Sequence, residues 1–331
     1  MLPSDRFLWR LEFGVWFFSG VLSPVATPSF HSLAVVGSGA LGLYYGSRVA
    51  GTGLDVRFLM RGDLAAVQAR GSILIHDKTG TQEQRPVHAF AEAAQIGPVD
   101  LVLVTLKTTA NHALDQILPP LLGPRTTVLT LQNGLGADEY IAGIVGAERV
   151  LGGLAFIAST RTAPGEVTCY HPGSITLGEF GRPSSARAHT VADLFTRAGV
   201  KIKVIENLLE ARWRKLVWNV PFNGLSVVHN RTTDELCSDP AIAAEIRVLM
   251  QEVQASAAAF GFVIPDRFLE QQFAVTPPMG AYQPSSLVDV RAGREVEVEA
   301  IWGEPLRRAK AKGVPVPRLE ALYERLAGTQ R

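Results

Sequence analysis

The 331-residue chain has only two cysteines, Cys169 and Cys237, far apart and in no metal-ligand spacing. So few thiols exclude a disulfide framework and fit a reducing compartment, so a cytoplasmic protein is expected. The seven histidines form no HxxxH or similar pair, and no bound metal is expected. Charge of one sign is also missing, with 32 basic residues against 31 acidic. Bulk electrostatics therefore offers nothing to nucleic acid or to an anionic membrane, and neither is expected as a partner. No apolar run reaches membrane-spanning length, and there is no internal repeat or low-complexity tract. The stretch "FGVWFFSGVLSPVA" follows Arg6 and Arg10 like a faint signal peptide, but Ser, Gly and Pro break it. Residues 1–30 read as an extension, disordered or the product of a start assigned too early.

What is present is apolar content, 47% of the chain, enough for a large core and, at this length, two domains. Residues 31–206 read as an α/β domain of Rossmann type, with a doubly wound sheet. An apolar strand at Leu33–Val36 runs into Gly37-Ser38-Gly39-Ala40-Leu41-Gly42, then a helical stretch, then the strand "LDVRFLM". Strand, glycine turn, helix and strand within about 30 residues form the dinucleotide-binding context. Gly37 permits the tight turn, Gly39 leaves room for a pyrophosphate, and Gly42 lets the helix pack close. The second strand ends at Met60 with no acid to take a ribose 2′-hydroxyl. Arg61 follows, and a guanidinium suits a 2′-phosphate, so NADP(H) is the expected cofactor.

Further strands are predicted at "SILIH", hairpinned with the segment around Pro86 to Ala89, and at "VDLVLVTLK" and "TTVLTLQNG". Lys107 and Asn133 then stand at the carboxyl ends of two strands, where ligands bind in open α/β sheets. "NHALDQILPPLL" reads as an amphipathic helix. "RVLGGLAFIAS", "EVTCY" and "SITLGEF" read as three strands and "GRPSSARA" as a linker.

Residues 207–331 read as all-helical. "DPAIAAEIRVLMQEVQASAAAFG" is a helix with an Asp239-Pro240 start and a Gly261 stop, and "EVEVEAIWGEPLRRAKAKG" is another, broken or kinked at Pro305. Their apolar faces are compatible with a homodimer or with a core. In "WRKLVWN" Lys215 stands among two tryptophans, a leucine and a valine. A lysine losing hydration there releases its proton more readily, as a general acid at a ketone oxygen must. Asn219 lies one turn on, about 40° round the same face. Pro221 is expected to end or bend the helix, leaving Asn223 unplaced. Taken alone, Lys215 also reads as a snorkelling helix lysine, and with Arg212 and Arg214 beside it an exposed basic stripe is conceivable.

From Leu33 to about Leu326 the chain resembles the ketopantoate reductase (2-dehydropantoate 2-reductase) family. The resemblance is carried by "VVGSGALG", "VTLK", "QNGLG", "EARWRKLVWNVPFN", "PSSLVDVRAGREVEVEAIWG" and "GVPVP". It implies NADPH-dependent reduction of a 2-oxo acid to pantoate, feeding pantothenate and coenzyme A synthesis. Gly37 to Gly42 would hold the pyrophosphate and Arg61 the 2′-phosphate. Lys107 and Asn133 would line the nicotinamide and substrate side, and Ala158 would offer a backbone contact to the cofactor. Lys215 matches the proton donor, and Asn219, Asn223 and Ser285 match the groups that hold the substrate. Glu297 matches an acid that contacts the cofactor near the lysine. The sequence departs from the family pattern at Trp302 and Thr233, each in place of an asparagine, at Glu299 in place of aspartate, and at Pro284 and Ser286. A reductase of a different 2-oxo acid and a non-catalytic NADP-binding sensor stand as alternatives.

Overall fold

The computed structural model describes residues 30–328. The expectations for the amino-terminal extension fall almost wholly outside them. Ten strands form one sheet: β1 (Ser32–Val36), β2 (Asp55–Leu59), β3 (Ile73–Asp77), β4 (Gly80–Gln84), β5 (His88–Phe90), β6 (Val99–Val104), β7 (Leu122–Thr130), β8 (Val150–Ala163), β9 (Glu166–Glu179) and β10 (Ile202–Ile205). They lie in the order β4-β3-β9-β8-β7-β6-β1-β2-β5, with β10 beside β9. Strands β5, β2, β1, β6, β7 and β8 are mutually parallel. The central pair, β1 and β6, is buried along nearly its whole length and mostly apolar, as a sheet covered on both faces requires. The order reverses between β1 and β6, and at such a switch point a crevice opens beyond the carboxyl ends. Thr105, just past β6, closes the glycine turn there: its Oγ1 donates to the Gly37 carbonyl at 2.6 Å.

Several local expectations give way to packing. The hairpin partner of β3 is β4, and His88–Phe90 instead extends the parallel sheet beside β2. "EVTCY" and "SITLGEF" are one 14-residue strand, β9, paired antiparallel with β8 through bulges. "NHALDQILPPLL" is a broken path of short helical turns, Thr108–Ala113, Leu114–Ile117 and Pro119–Leu121; Pro119 and Pro120 supply no N–H to carry the second turn further. The end of "GRPSSARA" is helical: Ser185 caps the helix Ala186–Arg197.

From Leu208 onward the chain is helical around a second core. Its axis is the helix Leu208–His229, which runs through Pro221 without ending. A mid-helix proline costs roughly 3 kcal/mol. Here Trp213, Leu216, Val217, Val220, Phe222 and Leu225 are each at most 1% exposed, and their burial outweighs that cost. Helix Pro240–Ala258 packs alongside, with Asp239 accepting from the Ala241 and Ile242 amides as its N-cap. Residues 295–297 are irregular, not helical as expected; a widened turn, Glu299–Gly303, then leads into helix Glu304–Ala311, with Pro305 in its first turn. Trp302 is fully buried, and its Nε1 donates to the Val220 carbonyl at 2.9 Å. Truncation of Trp302 to Ala is expected to cost about 3–5 kcal/mol, read as a lower midpoint in denaturant unfolding.

Candidate active site

At the switch point the glycine turn has the shape a dinucleotide needs. Gly37 has φ +106°, and a Cβ there would lie 2.5 Å from the Leu106 amide nitrogen. A Cβ on Gly42 would lie 1.9 Å from the Gly37 carbonyl oxygen. At Gly39 a Cβ would meet nothing within 4 Å, so this glycine faces open space. Gly39 starts the helix Ala40–Ala50, which has no side-chain cap and no acid in its first turn. The leading N–H groups of Ala40, Leu41 and Gly42 thus stay available to an anion. Ser38 is turned away, donating to the Leu59 carbonyl at 2.8 Å. Beyond β2, Arg61 is exposed, and among the described residues its guanidinium has no ion-pair partner. The donor set fits a dinucleotide phosphate.

Across the crevice, helix Leu208–His229 presents Lys215. Its Nζ donates to Asn133 Oδ1 and to the Ala155 carbonyl, both at 2.9 Å, and lies 5.2 Å from the centroid of the Phe156 ring. The loop after β7 supplies Asn133, and the interior of β8 supplies Ala155. The carbonyl on the lysine is thus that of Ala155; Ala158 lies three residues farther along β8, opposite His171 at a bulge. Lost hydration, then the charge of Arg212, pushes the Lys215 pKa down to about 7, and Glu297 pulls the other way.

Glu297 is 8% exposed, and its Oε1 accepts from the Thr108 amide at 2.9 Å and the Thr108 hydroxyl at 3.1 Å. Burial raises its pKa, against those two bonds, the charge of Lys107 and the Asn133 amide. Lys107 ion-pairs with Asp289 and donates to the Glu295 carbonyl at 3.1 Å. Asp289 also takes Arg294 at 3.0 Å.

Because the helix continues past Pro221, Asn219 and Asn223 follow Lys215 at successive four-residue steps, each turned about 40° from the last. Asn219 is 6% exposed, and its amide has no hydrogen-bond partner among the described residues. Asn219 lines a small cavity with Lys215, Asn133 and Gln132. Asn223 Oδ1 accepts from the Ser286 amide at 3.0 Å and the Ser285 hydroxyl at 3.3 Å. Ser285 is exposed in the first turn of helix Ser285–Arg291, and Pro284 rather than the serine is its N-cap. The Thr233 hydroxyl is turned to the backbone, 3.1 Å from the Gly280 carbonyl.

Arg212 is not part of an exposed stripe: it is 3% exposed and bound to Asp138. Arg214 is paired with Glu210. Arg212, Asp138, Thr108 and Asp289 were not among the site residues read from the sequence. The signal for Asp138 was a charge beside the apolar run "YIAGIV".

Two family models match: ketopantoate reductase PanE/ApbA over residues 33–182, and its C-terminal counterpart over residues 207–330. The chain belongs to the ketopantoate reductase family. It is 41% identical over 298 residues to a 2-dehydropantoate 2-reductase of a Nostoc species, a match covering 88% of this chain and 93% of that protein. The solved 2-dehydropantoate 2-reductase of Geobacter metallireducens superposes with a TM-score of 0.87 at 39% identity, covering 90% of this chain and 99% of that one. A D-mandelate dehydrogenase solved with NADH and anilino(oxo)acetate shares the fold, with TM-score 0.83 and 22% identity over 90% of this chain and 97% of the other. Membership makes this chain a pyridine-nucleotide-dependent oxidoreductase acting on a CH–OH group.

The two glycines of the turn are expected to fail differently. Gly42→Ala lowers the thermal midpoint, because its methyl would collide with the Gly37 carbonyl. Gly39→Ala retains the wild-type midpoint and weakens dinucleotide binding about tenfold, read by titration of cofactor fluorescence.

Proposed function

We propose that this protein reduces the ketone of 2-dehydropantoate to pantoate with NADPH, as a cytoplasmic enzyme of pantothenate and coenzyme A synthesis. The observation that carries the reading is the Lys215 ammonium, held by Asn133 and Ala155 at the sheet edge with a pKa near 7. Bound in the crevice, NADPH supplies the hydride. The chain does the rest. Lys215 gives its proton to the oxygen as negative charge develops on it. Asn219 and the Asn223 Nδ2 offer amides to the hydroxyl and carboxylate of the substrate, and the Ser285 hydroxyl stands beside them. Amides bind these groups without adding charge that would compete with the lysine. Glu297, with Lys107 and Asn133, borders the nicotinamide side. Gly37, Ser38, Gly39, Ala40, Leu41 and Gly42 receive the pyrophosphate, and Ala158 lines the cofactor along β8. Arg61 takes the 2′-phosphate and sets the preference for NADPH over NADH.

The test is NADPH oxidation with 2-dehydropantoate, run beside NADH and a panel of simple 2-oxo acids. A rate with 2-dehydropantoate no better than with the panel removes the substrate assignment. Lys215→Met is expected to lower kcat by about 100-fold or more while cofactor binding persists. Arg61→Ala is expected to raise KM for NADPH about tenfold and leave KM for NADH unchanged. The reduction needs the protonated lysine. Its kcat/KM therefore holds below pH about 7 and falls above it, about tenfold per pH unit, as Lys215 loses its proton.

A further inference from the structure

The helix that carries Lys215 carries a buried cation three residues earlier. Arg212 Nη1 donates to the carbonyls of Gln132 at 3.1 Å and Gly134 at 3.3 Å, one on each side of Asn133. Its Nη2 donates to Asp138 Oδ1 at 2.6 Å, and its Nε sits against Oδ2. Asp138 is 3% exposed and stands in the first turn of helix Ala137–Val145, just beyond the Asn133 loop. Burial raises the Asp138 pKa, and the arginine fork opposes it. One guanidinium therefore ties the lysine's helix to the loop that presents the lysine's amide acceptor.

We infer that Arg212, anchored by Asp138, is a positioning residue for the reduction, holding the Asn133 peptide in register with Lys215. A buried ion pair adds little to stability over an apolar pair of the same volume, so retention of one here points to geometry and charge. Two carbonyls held by one nitrogen of a guanidinium that Asp138 anchors fix the backbone on either side of Asn133, and with it the direction in which its side chain leaves the loop. The same cation stands next to the lysine and disfavours its charged form, which makes Lys215 a stronger acid. The other groups facing Lys215 are Glu297 from the irregular segment 295–297 and, from the sheet, the neutral Asn133 amide, Ala155 carbonyl and Phe156 ring. Only Arg212 and Glu297 among them bear charge, and they act in opposite senses.

The inference rests on Lys215 as the general acid, so its test includes a readout independent of turnover. The Lys215 ammonium is titrated directly in the ligand-free protein, by NMR of labelled lysine, in wild type, R212Q, R212K and D138N. The kcat/KM profile for NADPH-driven reduction is recorded for the same four proteins. R212Q removes the nearby cation and is expected to move the lysine titration and the alkaline limb up by roughly half a unit to one unit. D138N leaves the Arg212 charge unbalanced and is expected to move both down. R212K keeps the charge and loses the fork; its limb stays in place while kcat falls about tenfold. A purely structural arginine lowers the melting temperature in each variant and shifts neither titration. Unmoved or same-direction titrations in R212Q and D138N, or wild-type kcat in R212K, overturn the inference. Should R212Q not fold, D138N and R212K decide. Opposed titrations in a wild type that reduces no 2-oxo acid would support Arg212 and remove the general-acid reading instead.

Discussion

A lysine ammonium exchanges water for one amide oxygen and one backbone carbonyl, and the rest of the site is arranged round that exchange. Too little desolvation would leave Lys215 with its ordinary pKa, a poor acid at neutral pH. Too much, without acceptors, would drive the proton off altogether. Asn133 Oδ1 and the Ala155 carbonyl satisfy two of its three N–H groups, and under the proposed function the third serves a substrate oxygen. Arg212 and Glu297 pull its titration in opposite directions.

Neither half of the molecule makes this site alone. Lys107 pairs with Asp289, Thr108 donates to Glu297, and Arg212 holds the carbonyls beside Asn133. The Leu135 amide donates to the Ala300 carbonyl at 2.9 Å, made possible because Gly134 has no Cβ: one would lie 2.1 Å from that oxygen. Each link joins a strand end of the sheet to the helical region. The distance from Lys215 to the dinucleotide crevice is thereby set by polar contacts at the seam between the two cores.

The parts legible in the sequence were those with local causes. The glycine turn is written in consecutive residues, and the strand after it is followed by Arg61 rather than an acid. Lys215 and Asn219 share a helix face by spacing alone. The rest was hidden because it depends on what packs from far away. Pro221 looked like a helix end, yet buried neighbours carry the helix past it and so place Asn223. Arg212 looked like part of a solvated stripe, since its partner Asp138 is 74 residues distant. Glu297 fell in a run with helical period, yet that run is irregular and tied to the sheet by the Lys107–Glu295 and Thr108–Glu297 contacts.

Trp302 shows how a departure from the family pattern can leave the site's polar groups in place. Where the pattern has an asparagine, the indole points into the core, 0% exposed, and keeps one donor in use on the Val220 carbonyl. That carbonyl belongs to the peptide between Asn219 and Pro221, in the part of the helix where proline removes an N–H. Two turns of helix there carry Asn219 and Asn223 and are weakened by Pro221 and Gly224 together. Gly224 also makes the room: a Cβ on it would lie 2.9 Å from the indole Nε1 and 2.7 Å from Leu322. The large side chain and the missing one are therefore a matched pair. Together they pack against the back of the segment that carries Asn219 and Asn223, so a change of residue type at position 302 acts on those two amides through the helix backbone.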